Sequence, residues 1–315
     1  MAGATTGVDV FGPDVTGGSG LSGQFFAGQF GDASDGDFTV VGTFLAPREM
    51  HYNNLIVPAG TIFKPNGFRI FVAGTLTIAA TASFNDDGLS STSQAGATGL
   101  GSRGYLGASS AQGGNGWAIT AVNWANGNTG GGASNTSLNN LGQAPTGGRG
   151  GNVTLRANTG GLGGSSTQPT PSQKWNGRWF DGRWSGGTWN GASAGGGGAI
   201  NVVTYTSGTF ISGGGGAGGG IVWLSARYIN NAGRISANGG AGAAGVLGVG
   251  TGECSGGGGG GGGKVAVITQ TPFAALGTIQ ANGGAGGTGV WNVGTGVNMD
   301  GVAGNNGSVC IVVMA

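Results

Sequence analysis

GGGIVWLSARYINNAGRISANGGAGAAG, residues 218–245, and GGGKVAVITQTPFAALGTIQANGGAGGTG, residues 261–289, are two copies of one pattern, and NGSVCIVV at 306–313 begins a third. Ile221, Val265 and Val309 stand 44 residues apart, and ISANGGAG at 235–242 returns as IQANGGAG at 279–286 with the same offset. A fixed period of this size marks a unit whose apolar face is buried only by stacking on its neighbours. Weaker relatives precede it, GGNVTLRANTGG at 150–161 and GGAINVVTYTSGTFISGG at 197–214. Between the apolar runs lie glycine tracts at 195–198, 213–220 (interrupted by Ala217) and 256–263. An extended chain of the polyproline II type turns once in three residues and rises about 3.1 Å per residue, so eight glycines span roughly 25 Å. Chains without side chains approach closely enough to exchange backbone hydrogen bonds, which meets the need to satisfy every buried N–H and C=O.

Working towards the N-terminus, residues 38–88 read as short runs cut by turn residues: FTVVGTFL, NNLIVPAG, TIFKPNG, FRIFVAG, TLTIAAT and ASFNDDG. Each run is β-branched or alternating, and Pro-Ala-Gly, Pro-Asn-Gly and Asp-Asp-Gly read as turns. Many short strands at even spacing predict a coiled or stacked β architecture. The expected fold is mainly β with little or no helix: a short-strand, solenoid- or sandwich-like stem carrying stacked polyglycine II-type layers. Four regions are expected: 1–36, an attachment segment with an aromatic patch at Phe25, Phe26 and Phe30; 37–90, a β-rich stem; 91–194, rich in loops with an aromatic cluster; and 195–315, the glycine-rich repeat domain.

Composition narrows the function. Of 315 residues, 80 are Gly, 13 Phe and 8 Trp, while charged residues are only 7 %, against about 25 % in ordinary domains. Disordered chains are rich in charge and poor in aromatics, so the glycine is expected to be packed. A formal net charge of +1, with Lys and Arg scattered, offers no basic face for a phosphate backbone, and no nucleic-acid partner is expected. The start MAGATTGVDVFGPDV has neither a basic n-region nor an apolar h-region, and no apolar run reaches about 18 residues, so neither conventional export nor a membrane span is expected. Cys254, in a loop-like stretch, and Cys310, in an apolar strand, are too few for a disulfide framework and read as two free thiols.

The motifs that would carry chemistry fail on inspection. No G-x-G-x-x-G match opens a helix after a strand with an acid about 20 residues on. The Gly-Lys ending of 258–264 resembles a phosphate-binding loop, but Val265 follows where Ser or Thr is needed, and a strand follows where a helix is needed. GGAGAAG and GGAGGTG lack the aspartate of calcium-binding nonapeptides. His51 is the only histidine, so no metal and no cofactor are expected. Glycoside hydrolysis requires paired carboxylates; of the acids, Asp86-Asp87-Gly88 reads as a turn, and Asp181, Glu253 and Asp300 form no evident pair.

KWNGRWFDGRWSGGTWNG, 174–191, is the strongest local signal. A glycine in every step argues against a helix, where each costs about 1 kcal/mol, and favours successive turns or loop crossings. Trp175, Trp179, Trp184 and Trp189, with Arg178, Arg183 and Asp181, have the composition of a binding surface, and indole faces with a polar rim suit stacking on sugar rings. The alternative is that the rings fill a chain or subunit interface that glycine leaves empty. Trp117 and Trp124, in another Gly- and Asn-rich stretch, are second candidates for the same surface.

PREMHYNNLIVPAGTIFKPNGFRIFVAGTLTIAATASFNDDG at 47–88, followed by GGGGAGGGIVWLSARYINNAGRISANGGAG at 213–242, resembles the fibre, spike and adhesin proteins of tailed bacteriophages. The likeness covers roughly 38–90 and 195–315. It implies a virion protein assembled in the host cytoplasm, a homotrimer docked to other virion proteins by its N-terminal segment, and a non-enzymatic receptor-binding adhesin for a host surface polysaccharide or outer-membrane receptor. In that family the loops linking glycine tracts carry specificity, which points to the loops around Trp175–Trp189 and 246–255, with the Trp117 region beside them. A structural capsid decoration or head spike, and a polysaccharide-degrading spike, remain as alternatives.

Overall fold

Ten strands build one curled sheet in which every pairing is parallel. The computed structural model describes residues 29–98, 112–119, 147–151, 192, 194–292 and 299–314, and among them there is no helix. The strands in chain order are β1 (Gly36–Thr39), β2 (Thr43–Leu45), β3 (Met50–Val57), β4 (Ile62–Lys64), β5 (Arg69–Ile78), β6 (Ser83–Asn85), β7 (Ala118–Ile119), β8 (Ile200–Ser207), β9 (Phe210–Ile211), β10 (Ile221–Ser236), β11 (Val249–Cys254), β12 (Lys264–Thr269), β13 (Ala275–Gln280), β14 (Val290–Trp291) and β15 (Ser308–Val313).

The chain passes repeatedly over the same two ladders. One runs β1-β3-β5-β10-β12-β15; the other runs β2-β4-β6 to the second half of β10 and on to β13. Successive passes place like residues above one another. Phe44, Phe63, Phe84, Ile235 and Ile279 are consecutive register partners on the second ladder, and Met50, Ile70, Leu224, Val267 and Ile311 on the first. The Phe63 and Phe84 rings stack at 4.7 Å. This inner core is fully buried at Leu55, Ile70, Leu76, Phe63 and Phe84. Residues of opposite parity, Phe71, Ile221, Trp223, Ala266 and Ile268, form a second core on the other face, which is why the strands read as unbroken apolar runs rather than alternating ones. Phe30 is buried in that second core, and the Gln29 carbonyl accepts the Ser225 hydroxyl at 2.6 Å.

The predicted turns at 58–61 and 65–68 form. Thr61 N donates to Pro58 O and Phe68 N to Pro65 O, with Gly60 at φ 74° and the Asn66-Gly67 pair at φ 55° and 74°; left-handed backbone at these positions suits Gly and Asn. The turn expected at Asp86-Asp87-Gly88 does not form. Asp86 N and Gly88 N instead bond Ser236 O and Asn238 O. Asp86 Oδ2 accepts from Ile221 N at 3.2 Å, while Asp87 accepts from Asn238 N at 2.7 Å and pairs with Arg234 at 3.1 Å. The two carboxylates therefore satisfy backbone donors where β10 meets the glycine tracts on either side of it.

The 44-residue period holds for Val265↔Val309 and Ile235↔Ile279, but Val265 pairs with Val222, one residue from the expected Ile221. The 197–214 segment, read as a weak relative of the repeat, is not part of the ladder; its strand β8 pairs antiparallel with β11.

Beyond the sheet the glycine tracts pack against one another, and the tract at 255–263 is buried throughout. Its donors repeat every third residue: 256, 259 and 262 bond 299, 302 and 305; 257, 260 and 263 bond 243, 240 and 237; 255 and 258 bond 199 and 196. Its carbonyls receive three further segments, 213–219, 148–151 and 284–287. Six neighbours thus surround one strand of bare backbone. None of its glycines has positive φ. They are required by proximity, since a Cβ on Gly257 or Gly260 would fall within 3.0 Å of a neighbouring carbonyl.

Candidate functional site

Three pairs of tracts run between the parallel sheet and the far end of the molecule. Segment 194–198 lies antiparallel to 213–216, 237–243 to 257–263, and 284–287 to 301–304, as their backbone bonds show. The described residues of the links between partners, 199–212, 246–254, 288–292 and 299–300, therefore all emerge at the end opposite the sheet. There they form a cap of two small sheets: β8, β11 and β14 pair antiparallel, and β7 pairs with β9, which Val246 joins through Ile211. A small core of Ile200, Val202, Phe210 and Cys254 holds the cap together.

The expectation that 246–255 is a loop, with Cys254 in it, is corrected here: Val249–Cys254 is a strand and Cys254 is fully buried. Gly248 and Gly252 hide its alternation, because the Phe210 ring occupies the space their side chains would take, 3.0 Å from each notional Cβ. Neither cysteine is in a disulfide. Burial pushes the Cys254 thiol up to about 12 against a hydrogen bond from the Ile211 backbone, so it is held as the neutral thiol.

Of the residues singled out from sequence, Trp117 lies in the cap. Its backbone N–H donates to Ser212 Oγ at 2.7 Å, Ser212 N donates to its carbonyl at 2.8 Å, and the residue is 41 % exposed. Trp124, Trp175, Arg178, Trp179, Asp181, Arg183, Trp184 and Trp189 lie outside the described residues. Sequence reasoning missed Trp291, 48 % exposed on β14; its position in a link between glycine tracts was the available signal.

On the sheet of β8, β11 and β14, Trp291, Glu253 and Asn201 are cross-strand partners, as are Thr251 with Thr204 and Val249 with Ser207. Direct partners share a face, and β11 alternates, so these residues line one side while Ile200, Cys254 and Val290 line the other. Irregularities in register let Asn201, Thr204 and Ser207, three residues apart, all face this side. Thr204 and Thr251 hydroxyls bond at 2.7 Å. Asn292 grips β11, accepting from Gly252 N at 2.8 Å and donating to Gly250 O at 2.6 Å.

Elsewhere, an open hollow of about 310 Å³ lies between Asp37, Asn54, Thr75 and Thr77 on the parallel sheet. Hydrogen bonds from Asn53 and Asn54 hold the Asp37 carboxyl below its usual range. Among the described residues, no three His, Cys, Asp or Glu side chains gather as metal ligands. No protein-family model, curated protein or solved structure matches the chain.

Proposed function

We propose that this chain is a bacteriophage virion fibre or spike protein that acts as a non-enzymatic, receptor-binding adhesin, with the cap as its binding end. The carrying observation is topological: every described link between paired glycine tracts emerges at one end, opposite the parallel sheet, and that end exposes Trp117 and Trp291. Aromatic rings on a rigid support suit recognition, because little freedom is lost when a ligand docks.

The finer architecture belongs to the same proposal. The two parallel ladders are the coils of a β-solenoid-like stem, and the tracts are polyglycine II-type layers. Donors that return to the same neighbour every third residue support this, since a three-residue turn gives that periodicity. In the particle, the protein is a homotrimer attached through its N-terminal segment, and Trp175, Trp179, Trp184 and Trp189 take part in receptor binding.

Adsorption tests the reading. Labelled full-length protein applied to a panel of bacterial cells should bind a subset of strains and compete with phage for them, while releasing no reducing sugar from their polysaccharides. Binding to no strain, with the protein found on capsids, would favour a decoration protein instead.

A further inference from the structure

We propose that the hollow on the outer side of β1, β3 and β5 is a binding site for an amino sugar with a free ammonium group, which pairs with Asp37 while Thr75 and Thr77 bond the ring hydroxyls. The site lies on the parallel sheet, away from the cap, and the inference goes beyond the adhesin reading without depending on it.

Each strand contributes a different chemistry. Asp37 and Thr39 on β1, Asn54 and Ile56 on β3, and Thr75 and Thr77 on β5 line a hollow of about 310 Å³, at the lower end of ligand-pocket volumes, about 300–1,000 Å³. Residues two apart on a strand share a face, and Thr39, Ile56 and Thr77 are direct register partners across the three strands. Asp37 and Thr39 are exposed, and Ile56 is 44 % exposed, so the hollow opens to solvent. Neighbouring strands lie about 4.8 Å apart, which separates the carboxylate of β1 from the hydroxyls of β5 by roughly 10 Å. Between them Ile56 forms an apolar floor. A sugar ring lying on that floor reaches both walls, its amine at one and its hydroxyls at the other.

The carboxylate sets the charge of the ligand. Asn53 Nδ2, Asn54 N and Asn54 Nδ2 donate to Asp37 Oδ1 at 2.7, 3.0 and 3.0 Å, and none of them uses Oδ2. These amides hold the carboxyl below its usual range, so it is anionic at neutral pH and keeps an oxygen for a ligand. A primary ammonium brings a positive charge and three donors, and charge-assisted hydrogen bonds are about twice as strong as neutral ones. The same carboxylate repels a uronate or phosphate, and an N-acetylated sugar offers it a neutral amide instead. Threonine hydroxyls both donate and accept, as ring hydroxyls require. The row is fixed before a ligand arrives, because Asn54 donates to Asp37 on one side and its Oδ1 accepts from Thr75 N at 2.9 Å on the other; little ordering cost is left for binding.

The test titrates the full-length protein, at low ionic strength and about pH 5.5, with short glucosamine oligosaccharides carrying free amines and with the fully N-acetylated forms of the same oligosaccharides, read by calorimetry. The free-amine forms should bind, the N-acetylated forms about tenfold more weakly or worse, and added salt should weaken the former. Asp37→Asn keeps an acceptor for the Asn53 and Asn54 donors but removes the charge; it should lose about tenfold in affinity for the free-amine forms. Thr77→Val keeps the shape of the side chain and should lose severalfold, with both variants melting near wild type. Equal affinity for the two forms, wild-type affinity in Asp37→Asn, or no binding of the free-amine forms overturns the proposal. Adsorption to cells is read separately: its failure removes the adhesin reading and leaves this site standing.

Discussion

Gly257 N donates to the Ala243 carbonyl at 2.9 Å, and Gly287 N donates in turn to the Gly257 carbonyl at 2.8 Å. A β-carbon on Gly257 would fall on the Gly214 carbonyl, inside the 3.0 Å that real Cβ atoms keep. Here the obstacle is rigid backbone, so relief requires tracts to move apart. Gly257→Ala is expected to destabilise by about 1–3 kcal/mol, and Gly257→Val by more, measured by denaturant unfolding.

Asp86 predicts a pH dependence. Burial pushes its carboxyl from 3.8 up to about 7, opposed by the Ile221 N–H and by Lys64, and reinforced by Asp87. A raised folded value means that the folded state holds the proton more tightly than the unfolded chain. The stabilisation is complete below about pH 4 and is lost as pH rises towards 7. Across that window it amounts to roughly 4 kcal/mol at most. Asp32, Asp35 and Asp37 shift downward and act below pH 4, outside this window. Asp86→Asn keeps a carbonyl acceptor for Ile221 N without the charge. It should raise the midpoint of unfolding at pH 8 and flatten the profile between pH 4 and 7; an unchanged profile would remove Asp86 as its source.

The two thiols should differ in reactivity. Cys254 is buried and its thiol is pushed up to about 12, whereas Cys310 on β15 is partly exposed. Alkylation at pH 8 followed by mass spectrometry should label Cys310 first, and Cys254 only when the cap opens or the chain unfolds.

The aromatic ladder carries the first block of the sheet. Phe63 is fully buried between Phe44 and Phe84, with ring centroids at 5.3 and 4.7 Å. Phe63→Ala should cost about 3–5 kcal/mol, read by thermal or denaturant unfolding of the full chain.

These residues also mark what was legible in the sequence. Val265 and Val309 announced a ladder because their spacing equals one full pass of the chain. Phe44, Phe63 and Phe84 follow one another at 19 and 21 residues, a shorter pass than the 44-residue one, and Ile235 lies 151 residues beyond Phe84, so only the folded register aligns it with them. Asp86-Asp87-Gly88 has turn composition, yet distant donors at Ile221 and Asn238 claim its carboxylates. Crowding was readable from the runs of glycine themselves. The cap was not, because Gly250 and Gly252 interrupt the pattern of β11, and Trp291 belongs to a strand of two residues, too short for any periodicity to show.

Hydrogen exchange of the full chain, resolved at residues 255–263, tests the packed-backbone claim most directly. These amides should exchange as slowly as those of β12, because the tract is buried and the N–H groups of 255–260, 262 and 263 each donate to a carbonyl of a neighbouring segment. Exchange at random-coil rates in this tract, alongside a protected β12, would contradict the account.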